Sequence, residues 1–188
     1  KIKKLLCAVL VLISFTVFGQ TSSLNYEKAL QSFEEQDYAA TVIHLKNIFR
    51  AAPDDLPSRI LYAKILLVYN KGESAEVELN FVKKAGGDLN IINPLIAESL
   101  LFQQKFTQVL DIPLPAQSNS SVKSELIYLK GQAYLGLRKF VPAEENFNLA
   151  LSIKPSHSKS LVGMAQVFMA HKLYDKATVY VDKGLNSY

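Results

Sequence analysis

Apolar residues return every three or four positions along most of this chain, in stretches separated by short polar breaks. That is the period of a helix with one buried face. Between residues 124 and 157 the pattern shows clearly. Leu126, Leu129, Ala133, Tyr134 and Leu137 form one stretch, and Phe140, Ala143, Phe147, Ala150 and Leu151 form the next. Only Leu137-Arg138-Lys139 separates them. Two helices joined by so short a turn must lie antiparallel.

The pattern repeats. Ala29, Ala63, Ala97, Gly131 and Ala165 each lie 34 residues after the one before. A fixed period in this range marks a repeat array in which each unit is one helix pair. The frame divides the chain into 22–55, 56–89, 90–123, 124–157 and an incomplete 158–188. Other columns hold the same phase with no insertion: Tyr38, Gly72, Phe106, Phe140 and Tyr174, then Thr41, Ala75, Val109, Ala143 and Ala177. Leu45, Leu79, Pro113, Phe147 and Val181 follow. Small residues where helices cross let the backbones approach, and bulky neighbours fill the space against the next unit. The third unit is degenerate. Its second helix meets Pro113 and Pro115, so it is expected to stop near Asp111 and give way to a loop through Pro115–Ser121. These prolines also suggest a hinge. Asn93-Pro94 reads as a cap followed by a first-turn proline, which would start that unit's first helix late. Gly86-Gly87 reads as a helix C-cap.

These columns resemble the tetratricopeptide repeat (TPR). The fourth unit carries the family pattern most fully, in Gly131, Tyr134, Phe140, Ala143, Phe147, Ala150 and Pro155. The resemblance covers 22–188. It implies an all-α fold, a right-handed solenoid of antiparallel helix pairs whose first helices line a concave face. On that face it places Tyr26, Leu30, Lys64, Glu98, Phe102, Tyr128, Gln132 and Gln166, with the column Phe33, Leu67, Leu101, Leu135 and Met169 shared between the groove and the core. Tyr26 and Tyr128 would serve either as anchors for a ligand or as covers for neighbouring helices. Chaperone-binding members of the family clamp a terminal carboxylate with cations on these columns. Here only Lys64 stands there, opposite Glu98.

Residues 1–19 stand apart from the array. Lys1, Lys3 and Lys4 precede an uncharged apolar run from Leu5 to Phe18, the layout of a secretory signal peptide. Cleavage is expected after Gly19, an uncleaved anchor being the alternative. Cys7, the single cysteine, would leave with it, so the array at 20–188 would carry no disulfide or thiolate site. The formal charge of +4 then shrinks: three of the 21 basic residues are in the leader, which leaves 18 against 17 acidic ones. No basic stripe remains for nucleic acid. No later apolar run is long enough to span a bilayer.

Candidate chemistry is sparse. His44, His157 and His171 are placed by the frame on a second helix, in the turn after Pro155 and at a first-helix end, as surface or capping residues. No phosphate-cradling loop or nucleophile elbow occurs. Asn119-Ser120-Ser121 matches a glycosylation acceptor but reads better as a polar loop. The expectation is therefore a non-enzymatic scaffold without cofactor or metal. It would be exported to the periplasm or cell surface and bind a protein or peptide on its concave face. The alternative is the accessory region of a longer envelope enzyme, secretion or transport component. Phe168, Val179, Val181 and Leu185 in an uncapped last pair suggest that more chain follows Tyr188.

Overall fold

The computed structural model describes residues 24–186; the leader segment and Cys7 lie outside them. Ten helices and no strand occur among the described residues. They are α1 (24–34), α2 (Tyr38–Ala51), α3 (Leu56–Val68), α4 (Gly72–Lys84), α5 (Leu89–Phe102), α6 (Phe106–Leu110), α7 (Ser120–Gly136), α8 (Phe140–Ile153), α9 (Ser158–Ala170) and α10 (Tyr174–Leu185). Read in pairs, each is a helix, a turn of three residues and a second helix.

The turns share one geometry. Gln36, Asn70, Gln104, Arg138 and Lys172 all adopt left-handed φ between 54° and 61°, and all stand 34 residues apart. Each makes the same two backbone bonds. In the fourth pair the Arg138 N–H reaches the Leu135 carbonyl at 2.9 Å, and the Lys139 N–H reaches that of Tyr134 at 2.9 Å. This is a Schellman closure, which satisfies the last carbonyls of the first helix and reverses the chain. No glycine occupies the column, so each turn holds a side chain in a region that costs about 1–2 kcal/mol. The pair 86–87 closes α4 the same way, with Gly86 at φ 84° and the Gly87 N–H on the Val82 carbonyl at 2.9 Å.

The chain divides into two compact units, 1–65 and 66–188. In the first, Ala29, Leu45, Ile48, Leu61 and Ile65 are buried together, with Tyr26, Phe33, Tyr38, Val42, Phe49 and Tyr62 packed around them. Asp37 caps α2 by accepting from the Ala40 N–H at 2.9 Å. Asp55 does the same at the start of α3, accepting from the Ser58 N–H at 3.0 Å.

In the second unit the core centres on Phe147 of α8, which is fully buried beside Ala143, Met164 and Val167. Its ring lies against two glycines. A Cβ on Gly131 of α7 would come within 2.5 Å of the ring, and one on Gly163 of α9 within 2.6 Å. Three helices therefore converge on one aromatic side chain. In the first unit the equivalent columns are Ala29 and Leu45, so the larger core residue is matched by the smaller crossing residue.

The third pair departs most from the pattern. α6 is only five residues long and ends at Leu110, with Asp111 as its C-cap. The segment after it is tethered. Asn93 donates its side-chain amide to the Pro113 carbonyl at 3.1 Å, the Ser118 hydroxyl lies 2.8 Å from Asn90 Oδ1, and the Lys130 ammonium donates to the Leu110 carbonyl at 3.0 Å. This corrects the reading of Asn93-Pro94 as a helix start. α5 begins at Leu89 under an Asp88 cap, and Pro94 lies inside it. Asn93 is buried, and its side chain bonds the loop instead of capping a helix. Asn119 likewise caps α7, accepting from the Val122 N–H at 2.9 Å, so the helix opens at Ser120 and takes in part of the expected loop.

Two outcomes follow for stability. Gly131→Ala should cost about 1–3 kcal/mol in chemical denaturation, the usual penalty for overpacking. Adding Phe147→Leu should recover part of that loss, so that the double variant is more stable than the two single effects would sum to. Arg138→Gly should gain up to about 1 kcal/mol by relieving the left-handed turn, whereas Arg138→Val should lower the unfolding midpoint.

Candidate functional site

Within the second unit, α5, α7 and α9 are first helices of successive pairs, and α7 packs against both of the others. Residues three and four apart on α7 share one face, and Tyr128, Gln132, Leu135 and Gly136 line an open groove there. α5 adds Glu98, Leu101 and Phe102, α6 adds Phe106, and α9 adds Lys159 and Gln166. The groove has a volume of about 690 Å³.

Five of the residues expected on the concave face meet in this groove: Glu98, Phe102, Tyr128, Gln132 and Gln166. The other three belong to the first unit. Tyr26 is half-buried against the first core, Leu30 is exposed on α1, and Lys64 is exposed on α3. Burial, followed by the nearby charge of Asp55, raises the Tyr26 pKa.

Tyr128 both lines the groove and packs against neighbouring helices. Its ring packs 5.9 Å from that of Phe147 and 5.6 Å, edge-on, from that of His157. The Lys159 ammonium lies 5.9 Å from its centroid, within range of a cation–π attraction. Burial, then the charges of Glu125 and Glu98, push its hydroxyl up to about 12, while the neighbouring Gln132 amide opposes the rise. The phenol therefore stays neutral. Gln132 also donates to Gln166 Oε1 at 3.0 Å.

Sequence reasoning missed the polar cluster that borders the groove. Glu125 of α7 accepts from His157 Nε2 at 3.0 Å and from Lys159 Nζ at 2.7 Å. His157 is buried and caps α9, its Nδ1 accepting from the Ser160 N–H at 3.3 Å. With Nδ1 accepting, the bonding pattern assigns the proton to Nε2, which donates to Glu125. His157 is thus a capping residue as expected, but an interior one. His171 is exposed at the end of α9, where its ring meets Phe140 edge-on at 5.2 Å. The spacing held a usable signal: Glu125 and Lys159 are 34 residues apart, as are Gln132 and Gln166. Polar residues in one column of successive first helices face each other.

The two carboxylates titrate in opposite directions. Burial alone would raise the Glu125 pKa, but the hydrogen bonds from His157 and Lys159 and the charge of Lys159 outweigh it and hold the group below its ordinary value. Glu98 is raised, chiefly by burial; Lys159 works against the shift and Glu125 adds to it. Glu98 makes no hydrogen bond within the described residues. Also among the described residues, no group of three or more His, Cys, Asp or Glu side chains is placed to hold a metal, and no helix is long and apolar enough to cross a membrane.

No family model and no curated protein matches the sequence. Solved structures do match in fold. PilF of Pseudomonas aeruginosa aligns with a TM-score of 0.71 at 13% identity, over 91% of this chain and 78% of that one. A thermophilic TPR protein of Thermus thermophilus gives 0.70 at 13% identity, over 88% and 91%. MamA of Desulfovibrio magneticus RS-1, from its residue 41 to its end, gives 0.67 at 14% identity, over 89% and 94%. The chain thus has the all-helical TPR fold, as the repeat columns implied.

The shifts of Glu125 and Glu98 set an expected pH response. A depressed carboxylate adds stability that is present above its unfolded pKa and lost as pH falls through its folded one. A raised carboxylate has the opposite sign, so its ionisation costs stability at neutral pH. Thermal unfolding at pH 7 should therefore show Glu125→Gln less stable than the parent and Glu98→Gln equally or more stable. Solvent screening limits each effect to about 1 kcal/mol, or roughly 2–4 °C. Acidification towards pH 3 should narrow both gaps.

Proposed function

We propose that this protein is a non-enzymatic interaction scaffold of the cell envelope, and that the groove between α5, α7 and α9 receives an extended segment of a partner protein. The observation that carries this reading is the make-up of the groove. Phe102, Phe106, Leu101 and Leu135 offer an apolar wall, and Gln132 and Gln166 an amide pair, on one open surface. An apolar lining with a few placed polar groups is the usual composition of a recognition site. Amide side chains suit a peptide backbone, because they donate and accept at once. Gln166 uses its carbonyl on Gln132, and its own N–H groups make no hydrogen bond within the described residues. Helices stapled by Phe147 hold these side chains in place before binding, which lowers the ordering cost.

TPR folds serve mainly as interaction scaffolds, and that supports a protein partner. The envelope location rests on the lysine-flanked apolar run at 1–19, which reads as an export signal.

Affinity capture from a native envelope extract tests the reading. Phe102 and Gln166 are exposed, so Phe102→Ala with Gln166→Ala should leave the unfolding temperature within a few degrees of the parent. Their joint loss should weaken partner binding by at least ~2 kcal/mol, the scale of a hot spot. Equal capture by the parent and the folded double variant would rule the groove out.

A further inference from the structure

The groove has an unbalanced charge. Its charged lining is Glu98 and Lys159, and Lys159 is already engaged by Glu125 at 2.7 Å. Glu125 takes a second donor from His157, and the Gln132 amide donates to Gln166. Glu98 itself is half-buried, and its carboxylate makes no hydrogen bond within the described residues, Lys159 acting on it only through its charge. A carboxylate partly removed from water without a donor is costly, and a ligand that brings a donor recovers that cost. An acidic ligand would instead meet two carboxylates and one lysine that is already paired.

We propose that the segment received by the α5–α7–α9 groove carries a lysine or arginine side chain that pairs with Glu98, next to an apolar side chain that rests on Phe102, Phe106 and Leu135. This rests on the peptide-docking reading above and adds the chemistry of the ligand. The charge is the reverse of that bound by a cationic clamp for a terminal carboxylate. Lys159 is held on Glu125 at 2.7 Å, which offsets its charge towards an incoming cation, and Leu101, Phe102 and Phe106 lie on the α5–α6 side, where the stem of a long basic side chain can also lie.

Selection of a randomised phage-displayed peptide library on the full chain tests the proposal. The expected result is enrichment of Lys or Arg at one position beside an apolar residue. The best selected peptide should bind the Glu98→Gln variant about tenfold more weakly, the loss typical of a hydrogen bond to a charged group. Replacing its basic residue by norleucine should cost the parent the same factor and the variant almost nothing. Thermal unfolding of Glu98→Gln at or above that of the parent shows that the variant is folded. Peptides that lose binding with Phe102→Ala but carry no basic position, or that ignore Glu98→Gln, would overturn the charge assignment and leave the groove reading standing. No enrichment, or peptides indifferent to both Phe102→Ala and Glu98→Gln, would overturn both.

Discussion

The second unit depends on the contact of one phenylalanine with two glycines. Phe147 is buried between α7 and α9 because Gly131 and Gly163 each lack the methyl group that would collide with its ring. Interiors are packed so closely that a single carbon is felt. This contact sets how near α7 and α9 come to α8. Tyr128 leans on the same ring. The position of the most central groove residue is therefore a consequence of core packing three residues away on its own helix.

The groove inherits its electrostatics from the same geometry. Successive first helices lie side by side, so residues one repeat apart are neighbours. Glu125 meets Lys159 in this way and Gln132 meets Gln166. Glu98 has no such complement. The residue one repeat further along is Gln132, whose amide donates to Gln166. Glu125 and Glu98 thus sit in one neighbourhood with opposite shifts, one satisfied twice over and the other left to a ligand. A buried cap adds to the asymmetry: His157 starts α9 and orients Glu125 at the same time.

Much of this was legible in the chain. The 34-residue spacing of small residues gave the helix pairs, and Pro113 and Pro115 gave the short α6. Five of the eight groove residues named from the repeat columns do line one groove. The failures share a cause. Asn93-Pro94 has the local signature of a helix start, but local preference yielded to a tertiary hydrogen bond from Asn93 to Pro113. Asn119-Ser120-Ser121 looked like loop, but the Asn119 side chain is the cap of a longer helix. His157 read as a surface or capping turn residue; it caps α9, but from the interior, because its ring nitrogens have partners on two different helices.

The sequence by itself determined the period, the class of fold and the positions of the turns, because these follow from contacts between residues close together in one repeat, recurring at the same offsets. The left-handed column at 36, 70, 104, 138 and 172 shows how strict that local rule is: five different neighbourhoods and no glycine still produce one turn. Only the tertiary structure decided which side chains are spent on each other. Whether Tyr128 packs or projects, whether Lys159 is paired, and whether Glu98 lacks a donor all depend on distances between helices, and those distances are set by how Phe147 fits between two glycines.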